Sequence, residues 1–346
     1  AASPVLKRGL ALTPVKFGIS FTATFLNQAG ALILVYSDGT VQLNHGGTEM
    51  GQGLNTKVAQ IVADVLQIPL ADIQVTATTT GKVPNTSPTA ASSGADLNGK
   101  AAEAAARTLK ARLTAMLCQQ CACEESDVAF HNGVVRAGER YFSFAQVANM
   151  AWLNQVPLSA TGFYKVPGIH YDRTKGKGEP FYYFAWGAAC SEVVIDTLTG
   201  EYRLLRTDIL HDVGSSLNPA LDIGQIEGGF LQGAGWLTSE ELVWDDKGRL
   251  LSDGPMSYKI PAVGDMPEVF NVALLESTPN EAHTVYRSKA VGEPPFMLGI
   301  SVWCALQDAV AAAGSYRRHP HLDAPATPER VLGGVMAVQE GEHEGR

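Results

Sequence analysis

The sequence predicts an α+β fold made of two duplicated two-layer α/β units with mixed sheets. Both halves of the chain follow one order, in which a β-hairpin precedes a helix and a further strand precedes a second helix. In both halves a histidine, His45 or His211, ends the second strand of the hairpin. The chain has 346 residues, of which 45% are hydrophobic, so one large or two ordinary domains with a sizeable core are expected.

The composition argues against several classes of partner. Charged residues make up 18% of the chain and the net charge is −9, so no nucleic-acid surface is expected. We expect no membrane partner, because no apolar run of membrane-spanning length and no signal peptide stand out. The five cysteines, an odd number, indicate free thiols in a reducing compartment, which predicts a cytoplasmic location. Because the chain starts at Ala1 without a methionine, we expect a processed product or a piece of a longer polypeptide.

The first half, residues 1–160, begins with predicted strands at Phe17–Phe25, Leu32–Tyr36 and Thr40–His45. Asp38-Gly39 is a strong hairpin signal between the second and third of these strands. The elements that follow are a helix with Val58, Ile61, Val62, Val65 and Leu66 at helical spacing, a strand Ile73–Ala77, a polar loop Thr78–Ser93 and a helix Ala95–Leu117.

A small insertion is predicted near residues 127–156, with a hairpin around His131-Asn132-Gly133 and a helix near Phe144–Trp152. Thr161–Glu179 is predicted to be an exposed connection, which puts the second unit at residues 161–314 and a polar tail at 315–346. The second unit contains predicted strands Phe184–Asp196, Glu201–Leu210, Glu240–Trp244 and Val269–Leu275, a helix carrying Gln225 and Ile226, and an apolar helix Phe296–Ala313.

Three cysteines, Cys118, Cys121 and Cys123, have the Cys-x-x-Cys-x-Cys spacing of some metal clusters. They fall at the end of the Ala-rich helix, and no second Cys or His group stands at metal-site spacing. Because structural zinc needs four ligands, this spacing does not favour a protein-ligated metal.

The most informative junction is the loop Lys289–Pro295 before the apolar helix. Glu293 there has apolar neighbours, Gly292 before it permits an unusual backbone, and Pro294 after it should hold it outside helical dihedrals. A carboxylate held rigidly in such surroundings can act as a general base. Alternatively, Glu293 is a plain acidic residue at a helix N-terminus.

Three other loop-to-helix junctions offer polar groups. Gly46–Gly53 and the small residues Pro88–Gly94 would expose backbone N–H groups, and helix N-termini bind anions and polar groups. Gln52 and Gln225, each near a helix start, suit the amide edge of a heterocycle. Such glycine turns also cap helices without binding anything. No dinucleotide or P-loop fingerprint occurs, so a nicotinamide or nucleoside-triphosphate site is not supported.

Together these segments resemble the molybdenum hydroxylases of the xanthine dehydrogenase and aldehyde oxidase family. The resemblance covers roughly Lys7 to Gly314 and corresponds to the C-terminal half of the molybdopterin-binding region. The sequence of Lys289–Pro295 looks like that of xanthine dehydrogenases rather than aldehyde oxidases. The segments that carry the resemblance are Phe25–Gly30, Gly46–Gly53, Pro84–Gly99, His211–Gly228 and Ser288–Pro295.

The resemblance implies a fold, a cofactor and a reaction. The fold would be the molybdopterin-binding domain of the xanthine dehydrogenase type, and the pterin dithiolene, not a protein atom, would hold the molybdenum. Glu293 would be the general base in the hydroxylation of hypoxanthine and xanthine to urate, with water as the source of oxygen. Met50, Gly51, Gln52, Thr89, Ser92 and Gln225 would contact the cofactor, and Phe21, Thr22, Ala90 and Ala91 would contact the purine.

The resemblance also implies partners. The N-terminal half of the molybdopterin region is missing, and it would supply further groups that bind the purine. Iron–sulfur clusters of the 2Fe-2S type and FAD are expected on partner modules, with NAD reached through them, in a dimer of the whole assembly. The chain alone is therefore expected to be inactive. Alternatives are an aldehyde oxidase or another heterocycle hydroxylase of the family, or a non-catalytic binding or assembly module in which Glu293 only caps a helix.

Overall fold

The computed structural model describes residues 3–83, 86–276 and 278–339 and divides the chain into two compact units. The central unit comprises Gly18–Tyr183 and Pro279–Ala290, and the terminal unit comprises Ala1–Phe17, Phe184–Thr278 and Val291–Arg346. The predicted boundary at residue 160 is therefore wrong. It fails because residues 161–183 stay with the central unit and the N-terminal strand joins the later half of the chain.

The central unit is built on a four-stranded sheet. Strands β2 (Gln28–Val35) and β3 (Val41–His45) form the predicted antiparallel hairpin, and Gly39 in its turn has a φ of +89°. Strand β4 (Ile73–Val75) runs parallel to β3, whereas β8 (Ser159–Lys165) pairs antiparallel with β2. The prediction that the chain from Thr161 is an exposed connection is wrong here, because β8 completes the sheet.

Two helices cover this sheet. In α1 (Leu54–Leu66) the predicted apolar stripe is buried, as expected from its helical spacing. In α2 (Gly94–Cys121) four alanines, Ala101, Ala102, Ala105 and Ala106, are fully buried. Their small side chains let the helix approach β8 so closely that a Cβ on Gly162 would lie 1.9 Å from the Ala101 carbonyl oxygen.

The predicted insertion is a separate small element of the central unit. It contains a three-stranded antiparallel sheet and the helix α3 (Phe144–Leu153), which begins at a capping box formed by Ser143 and Gln146. Its strands are β5 (Val128–His131), β6 (Val134–Ala137) and β7 (Arg140–Ser143), and a hairpin of β9 (His170–Asp172) and β10 (Lys177–Glu179) comes later in the chain.

The three clustered cysteines lie at or just beyond the end of α2 as free thiols. Among the described residues, no group of three or more His, Cys, Asp or Glu side chains could hold a metal ion.

The terminal unit repeats the strand order of the central unit. Its sheet has the order β1 (Leu6–Ile19), β11 (Tyr183–Asp196), β12 (Tyr202–His211) and β13 (Val269–Leu274), against β8-β2-β3-β4. The hairpin pair β11–β12 is antiparallel and β12–β13 is parallel, as in β2–β3 and β3–β4. The predicted α+β class with mixed sheets is confirmed. The predicted strand Glu240–Trp244 is wrong, because only an isolated bridge joins Trp244 to Leu250.

The helices of this unit are α4 (Pro219–Thr238), α5 (Pro294–Leu298), α6 (Ile300–Ala313) and α7 (Pro328–Gln339). Within the described chain, Pro294–Ala313 is long and apolar enough to cross a membrane by length and composition, unlike the expectation from the sequence. However, 56% of the window is buried, as in a core helix.

The predicted tail from residue 315 is also wrong over much of its length. Val331, Val335 and Val338 of α7 are buried in the same core as α6, because they form an apolar stripe at helical spacing. Residues 340–346 of the predicted tail lie outside the described residues.

Candidate active site

Glu293 is half-buried at the N-terminus of α5, between a loop and two buried prolines. Its φ of −87° and ψ of −34° are helical, so the expectation that Pro294 keeps it outside the helical region is wrong. The reason is local: the Glu293 carbonyl oxygen accepts a hydrogen bond from Phe296 N–H at 3.0 Å, which closes the first turn. The carboxylate makes no capping hydrogen bond to its own helix.

The helix that begins at Glu293 is held by close backbone packing within the terminal unit. A Cβ on Gly233 of α4 would lie 2.1 Å from the Phe296 carbonyl oxygen, and one on Gly299 would lie 2.4 Å from Ala234 N. The rings of Trp236 and Phe296 also meet edge to face with centroids 5.2 Å apart. Side chains cannot separate helices that approach at glycines, so α5 has little freedom to shift against α4.

Gln225 lies on the same α4, as its seventh residue, and is half-buried. It therefore belongs to the second turn of the helix and not to its start, as the sequence had indicated. The start is occupied by Asn218, whose side-chain oxygen accepts from Leu221 N–H at 3.2 Å.

In the central unit the loop Gly46–Gly53 is organised by Glu49, which the sequence argument overlooked. Its carboxylate accepts from the N–H groups of Gly51, Gly53 and Asn55 at 2.9, 3.0 and 2.9 Å. Burial alone would raise the pKa of Glu49, but these backbone donors hold that pKa below its usual range. The positive end of α1 is thus already occupied by a carboxylate from its own loop. The available signal was an acid four residues before Gly53.

Gln52 is folded onto the same loop. Its side-chain oxygen accepts from Met50 N–H at 2.6 Å, and its side-chain nitrogen donates to the Thr48 carbonyl oxygen at 2.8 Å. Gly51 has a φ of +99° and open space where a Cβ would stand, and the Met50 side chain is exposed. The loop therefore has open space beside the Gly51 Cα, while the Gly51 N–H is bonded to Glu49.

The loop before α2 has an unusual backbone at two predicted site residues. Ala91 and Ser92 have φ values of +55° and +53°, a left-handed pair that non-glycine residues rarely adopt. The helix begins at Ser93 without a side-chain cap. Thr89 joins this loop to the previous one, since its Oγ1 accepts from Thr48 N–H at 2.8 Å. Pro84, the predicted start of this segment, lies outside the described residues.

Phe21 and Thr22 follow the end of β1 and do not lie on a strand as expected. Ser20 has a φ of +148°, and Asn27 holds the Phe21 backbone at two points, accepting from its N–H at 2.8 Å and donating to its carbonyl at 2.9 Å. Ser87, in the loop that carries Ala90 and Ala91, donates to the Leu26 carbonyl oxygen. The structure thus links the two loops that carry the predicted substrate residues.

Known proteins with a similar sequence or fold show the family to which this chain belongs. A sequence profile of the molybdopterin cofactor-binding domain matches residues 1–267. The chain is 49% identical to a xanthine dehydrogenase of Oryza sativa subsp. japonica and 50% identical to the xanthine dehydrogenase/oxidases of Gallus gallus and Mus musculus. Each match covers 94% of this chain but 23% of the relative, so the chain spans about a quarter of their length.

Solved structures agree on the fold. Quinoline 2-oxidoreductase from Pseudomonas putida 86 superposes with a TM-score of 0.81 at 25% identity, over 96% of this chain and 42% of that one. Reconstituted CO dehydrogenase from Oligotropha carboxidovorans gives 0.79 at 23% identity, over 98% of this chain and 41% of that one.

The residues present fit a pterin. Two buried oxygens, Oδ1 of Asn98 and Oγ1 of Thr86, have no hydrogen-bond partner among the described atoms. Asn98 lies against Gly47 and Thr86 against Gly46, so both stand beside the glycine loop. Buried oxygens without a hydrogen-bond partner are rare in proteins, and these two suit a ligand with amide and amine edges. This chain therefore belongs to the molybdopterin cofactor-binding domains, in the form found in molybdenum hydroxylases of the xanthine dehydrogenase family.

Proposed function

We propose that this chain is the molybdopterin-binding part of a xanthine dehydrogenase that hydroxylates hypoxanthine and xanthine to urate, with water as the oxygen source. The observation that carries the proposal is Glu293, a half-buried carboxylate on a helix locked against α4 by glycine packing. The relatives that are 49–50% identical are xanthine dehydrogenases or xanthine dehydrogenase/oxidases, which supports a purine over another substrate.

The residues assigned to the cofactor are distributed over the sequence of both units. In the central unit Met50, Gly51 and Gln52 and the loop residues Thr89 and Ser92 would contact the pterin, and in the terminal unit Gln225 would do so. The metal is held through the dithiolene of the pterin, so no side chain of this chain is assigned as its ligand. When bound, the cofactor supplies a molybdenum centre that accepts the two electrons of the oxidised C–H bond.

The reaction needs a base and a positioned ring. The Glu293 carboxylate accepts the proton lost by the water-derived nucleophile, a step in which a positioned base is worth about 10²- to 10⁴-fold in rate. The Phe21 ring and the Thr22 hydroxyl orient the purine. Asn27 holds the Phe21 backbone, so the loop that carries both side chains is fixed where it leaves β1. Ala90 and Ala91 leave room beside the reacting carbon, and a displacement of about 1 Å there can cost roughly 10²-fold in rate.

The remaining parts of the enzyme belong to other modules in this proposal. Because the chain spans 23% of the length of its relatives, we assign the 2Fe-2S clusters, FAD and NAD site to the other three quarters. The N-terminal half of the molybdopterin region would complete the purine pocket. We therefore expect this chain to be inactive alone, and we propose that the whole enzyme is a cytoplasmic dimer, as the cysteine count and the family resemblance indicate.

The test uses the complete enzyme and measures its molybdenum content, the source of the oxygen and its substrate preference. Elemental analysis should find molybdenum, turnover of xanthine in ¹⁸O-labelled water should place the label in urate, and xanthine should be preferred to aldehydes. A purified enzyme without molybdenum would instead support a non-catalytic assembly module. An enzyme that contains molybdenum but oxidises aldehydes or other heterocycles in preference to xanthine would contradict the purine assignment and keep the family chemistry.

A further inference from the structure

Two adjacent tyrosines, Tyr182 and Tyr183, bind the backbone of the segment Pro279–Ala290, one near its middle and one at its end. This segment belongs to the central unit. The Tyr182 hydroxyl oxygen accepts from His283 N–H at 3.1 Å. The Tyr183 hydroxyl oxygen accepts from Ala290 N–H at 2.8 Å. Ala290 is the last residue of the segment, and Glu293 follows three residues later in the chain. Ala290 is thus the residue of the central unit that lies nearest to the proposed base along the chain, and Tyr183 holds its backbone.

The segment between the two tyrosine contacts is internally stiff. The Ser288 carbonyl oxygen accepts from Asn280 Nδ2 at 3.1 Å and from Thr284 Oγ1 at 2.6 Å, and all three residues are buried. Tyr286 and Arg287 form a left-handed pair with φ values of +48° and +62°. These bonds order the segment up to Ser288, and the Tyr183 contact extends that order to Ala290, three residues before Glu293.

Tyr183 is oriented by Asp96, which lies in the first turn of α2 and is 7% exposed. The Tyr183 O–H donates to Asp96 Oδ2 at 2.5 Å. Because the proton of the hydroxyl points to Asp96, its lone pairs are left for Ala290 N–H. The two bonds form one chain from N–H through O–H to carboxylate, and bonds in such chains strengthen each other.

The surroundings of Asp96 shift the pKa of its carboxyl group. Burial raises the pKa of Asp96 to about 7, against the Tyr183 hydrogen bond and the charges of Lys57 and Lys100, which lower it. Burial raises the pKa of Tyr164, and Tyr182 and then the Asp96 charge add smaller contributions in the same direction. Burial makes this carboxyl group costly to ionise, although the two lysines favour its charged form. Its short hydrogen bond is made with Tyr183.

We propose that Asp96 and Tyr183 are positioning residues for the reaction: Asp96 orients the Tyr183 hydroxyl, and that hydroxyl sets the backbone from which Glu293 extends. This inference rests on the proposed role of Glu293 as the base. Neither residue touches the reacting atoms in this assignment. Their effect is on the placement of the base, so it falls on kcat more than on KM.

The test compares Tyr183→Phe with Tyr182→Phe in the complete, molybdenum-loaded enzyme. Each change removes one hydroxyl that accepts a backbone N–H of the same segment, so the two variants are matched. Tyr183→Phe should lower kcat by about 10- to 100-fold, the scale expected for a shift of a reacting group by a fraction of an ångström to 1 Å. KM and molybdenum content should stay near wild type, and hydrogen exchange at the Ala290 amide should become faster. Tyr182→Phe should speed exchange at His283 and leave kcat within about twofold.

Two variants at Asp96 provide the rescue comparison. Asp96→Ala removes the acceptor for the Tyr183 O–H and should lower kcat as much as Tyr183→Phe does. Asp96→Asn keeps an acceptor oxygen of nearly the same shape, so it should restore most of the lost kcat and the slow exchange at Ala290.

Several outcomes would overturn the inference. Normal kcat and normal Ala290 exchange in Tyr183→Phe would remove it, and so would equal losses of kcat in both tyrosine variants. A fall in molybdenum content that matches the fall in kcat would show a merely structural pair. Full activity of Glu293→Gln would overturn the proposed function itself and the positioning role with it, while the exchange data would still report whether Tyr183 anchors Ala290.

Discussion

The central and terminal units share one strand order but use their loop-to-helix junctions in opposite ways. In the central unit the Glu49 carboxylate turns back onto its own loop and accepts from three backbone N–H groups. In the terminal unit Glu293, at the start of α5, makes no capping hydrogen bond to its helix. Glu49 therefore stabilises its own loop, whereas Glu293 starts a rigid helix that its carboxylate does not cap.

The difference shows how a repeated scaffold acquires distinct roles. Strand order and helix placement are kept in both units, because a sheet needs helices over its apolar face in either case. The junctions, which carry little of the core, are where the two units differ. The central unit has a glycine loop bonded to its own carboxylate and a run of small side chains there, and the terminal unit has Glu293 at the start of α5.

The largest expected effect separates the two glutamates. Glu293→Gln keeps the shape of the side chain but removes the base, so kcat should fall by about 10²- to 10⁴-fold while molybdenum content stays normal. Glu49→Gln should have the opposite profile: lower molybdenum content, because the loop loses its charge-assisted bonds, with normal turnover per bound molybdenum. Steady-state kinetics normalised to metal content measures both. Near-normal turnover in Glu293→Gln would show that the two glutamates do not differ in this way.

The next effect concerns the left-handed pair of the central unit. Ala91→Val adds bulk beside the proposed purine site, so turnover of xanthine should fall by roughly 10²-fold or its KM should rise sharply, with smaller losses for small aldehydes. Because Ala91 has a φ of +55°, valine also adds backbone strain, and Ala91→Gly is the control that relieves strain without bulk. Kinetics of both variants with both substrate types decides the matter. Equal losses on the two substrates would remove this loop from the substrate site.

The smallest effect compares the two proposed amide contacts. Gln52→Ala should lower molybdenum occupancy and also loosen its loop, at about 1 kcal/mol for each of its two lost hydrogen bonds. Gln225→Ala should lower occupancy without any change in hydrogen exchange around it, because it lies on the second turn of a packed helix. Metal analysis combined with hydrogen exchange distinguishes the two. Full cofactor retention in both variants would make these amides purely structural.

Much of the fold could be predicted from local signals in the sequence. Asp38-Gly39 marked the β2–β3 turn, and the stripe from Val58 to Leu66 marked α1, because both depend on neighbours within a few residues. The apolar stripe of α7 was equally visible in Val331, Val335 and Val338, but the proline-rich stretch before it suggested a tail. The spacing of these valines, and not the composition of the stretch before them, determines the structure here.

The site was harder to predict because its backbone is set by contacts from elsewhere in the sequence. The predicted strand Phe17–Phe25 runs through Phe21, yet β1 ends at Ile19 and the Asn27 side chain holds the Phe21 backbone outside the strand. The left-handed Ala91 and Ser92 carry no glycine to reveal them. Glu293 and its prolines were visible as a motif, whereas the glycines of α4 that hold the helix are about sixty residues away in sequence.

The place of β1 in the terminal sheet has a consequence for the order in which the protein can be assembled on the ribosome. β1 neighbours β11 in the sheet, so it cannot pair until the later segment Tyr183–Asp196 has been made. The central unit needs only Gly18–Tyr183 and a short later segment, and domains generally fold as units during synthesis. The loops assigned to the pterin therefore belong to the part that can take shape first. The glutamate assigned to the chemistry belongs to a unit that closes only when α7, the last described helix, has been translated.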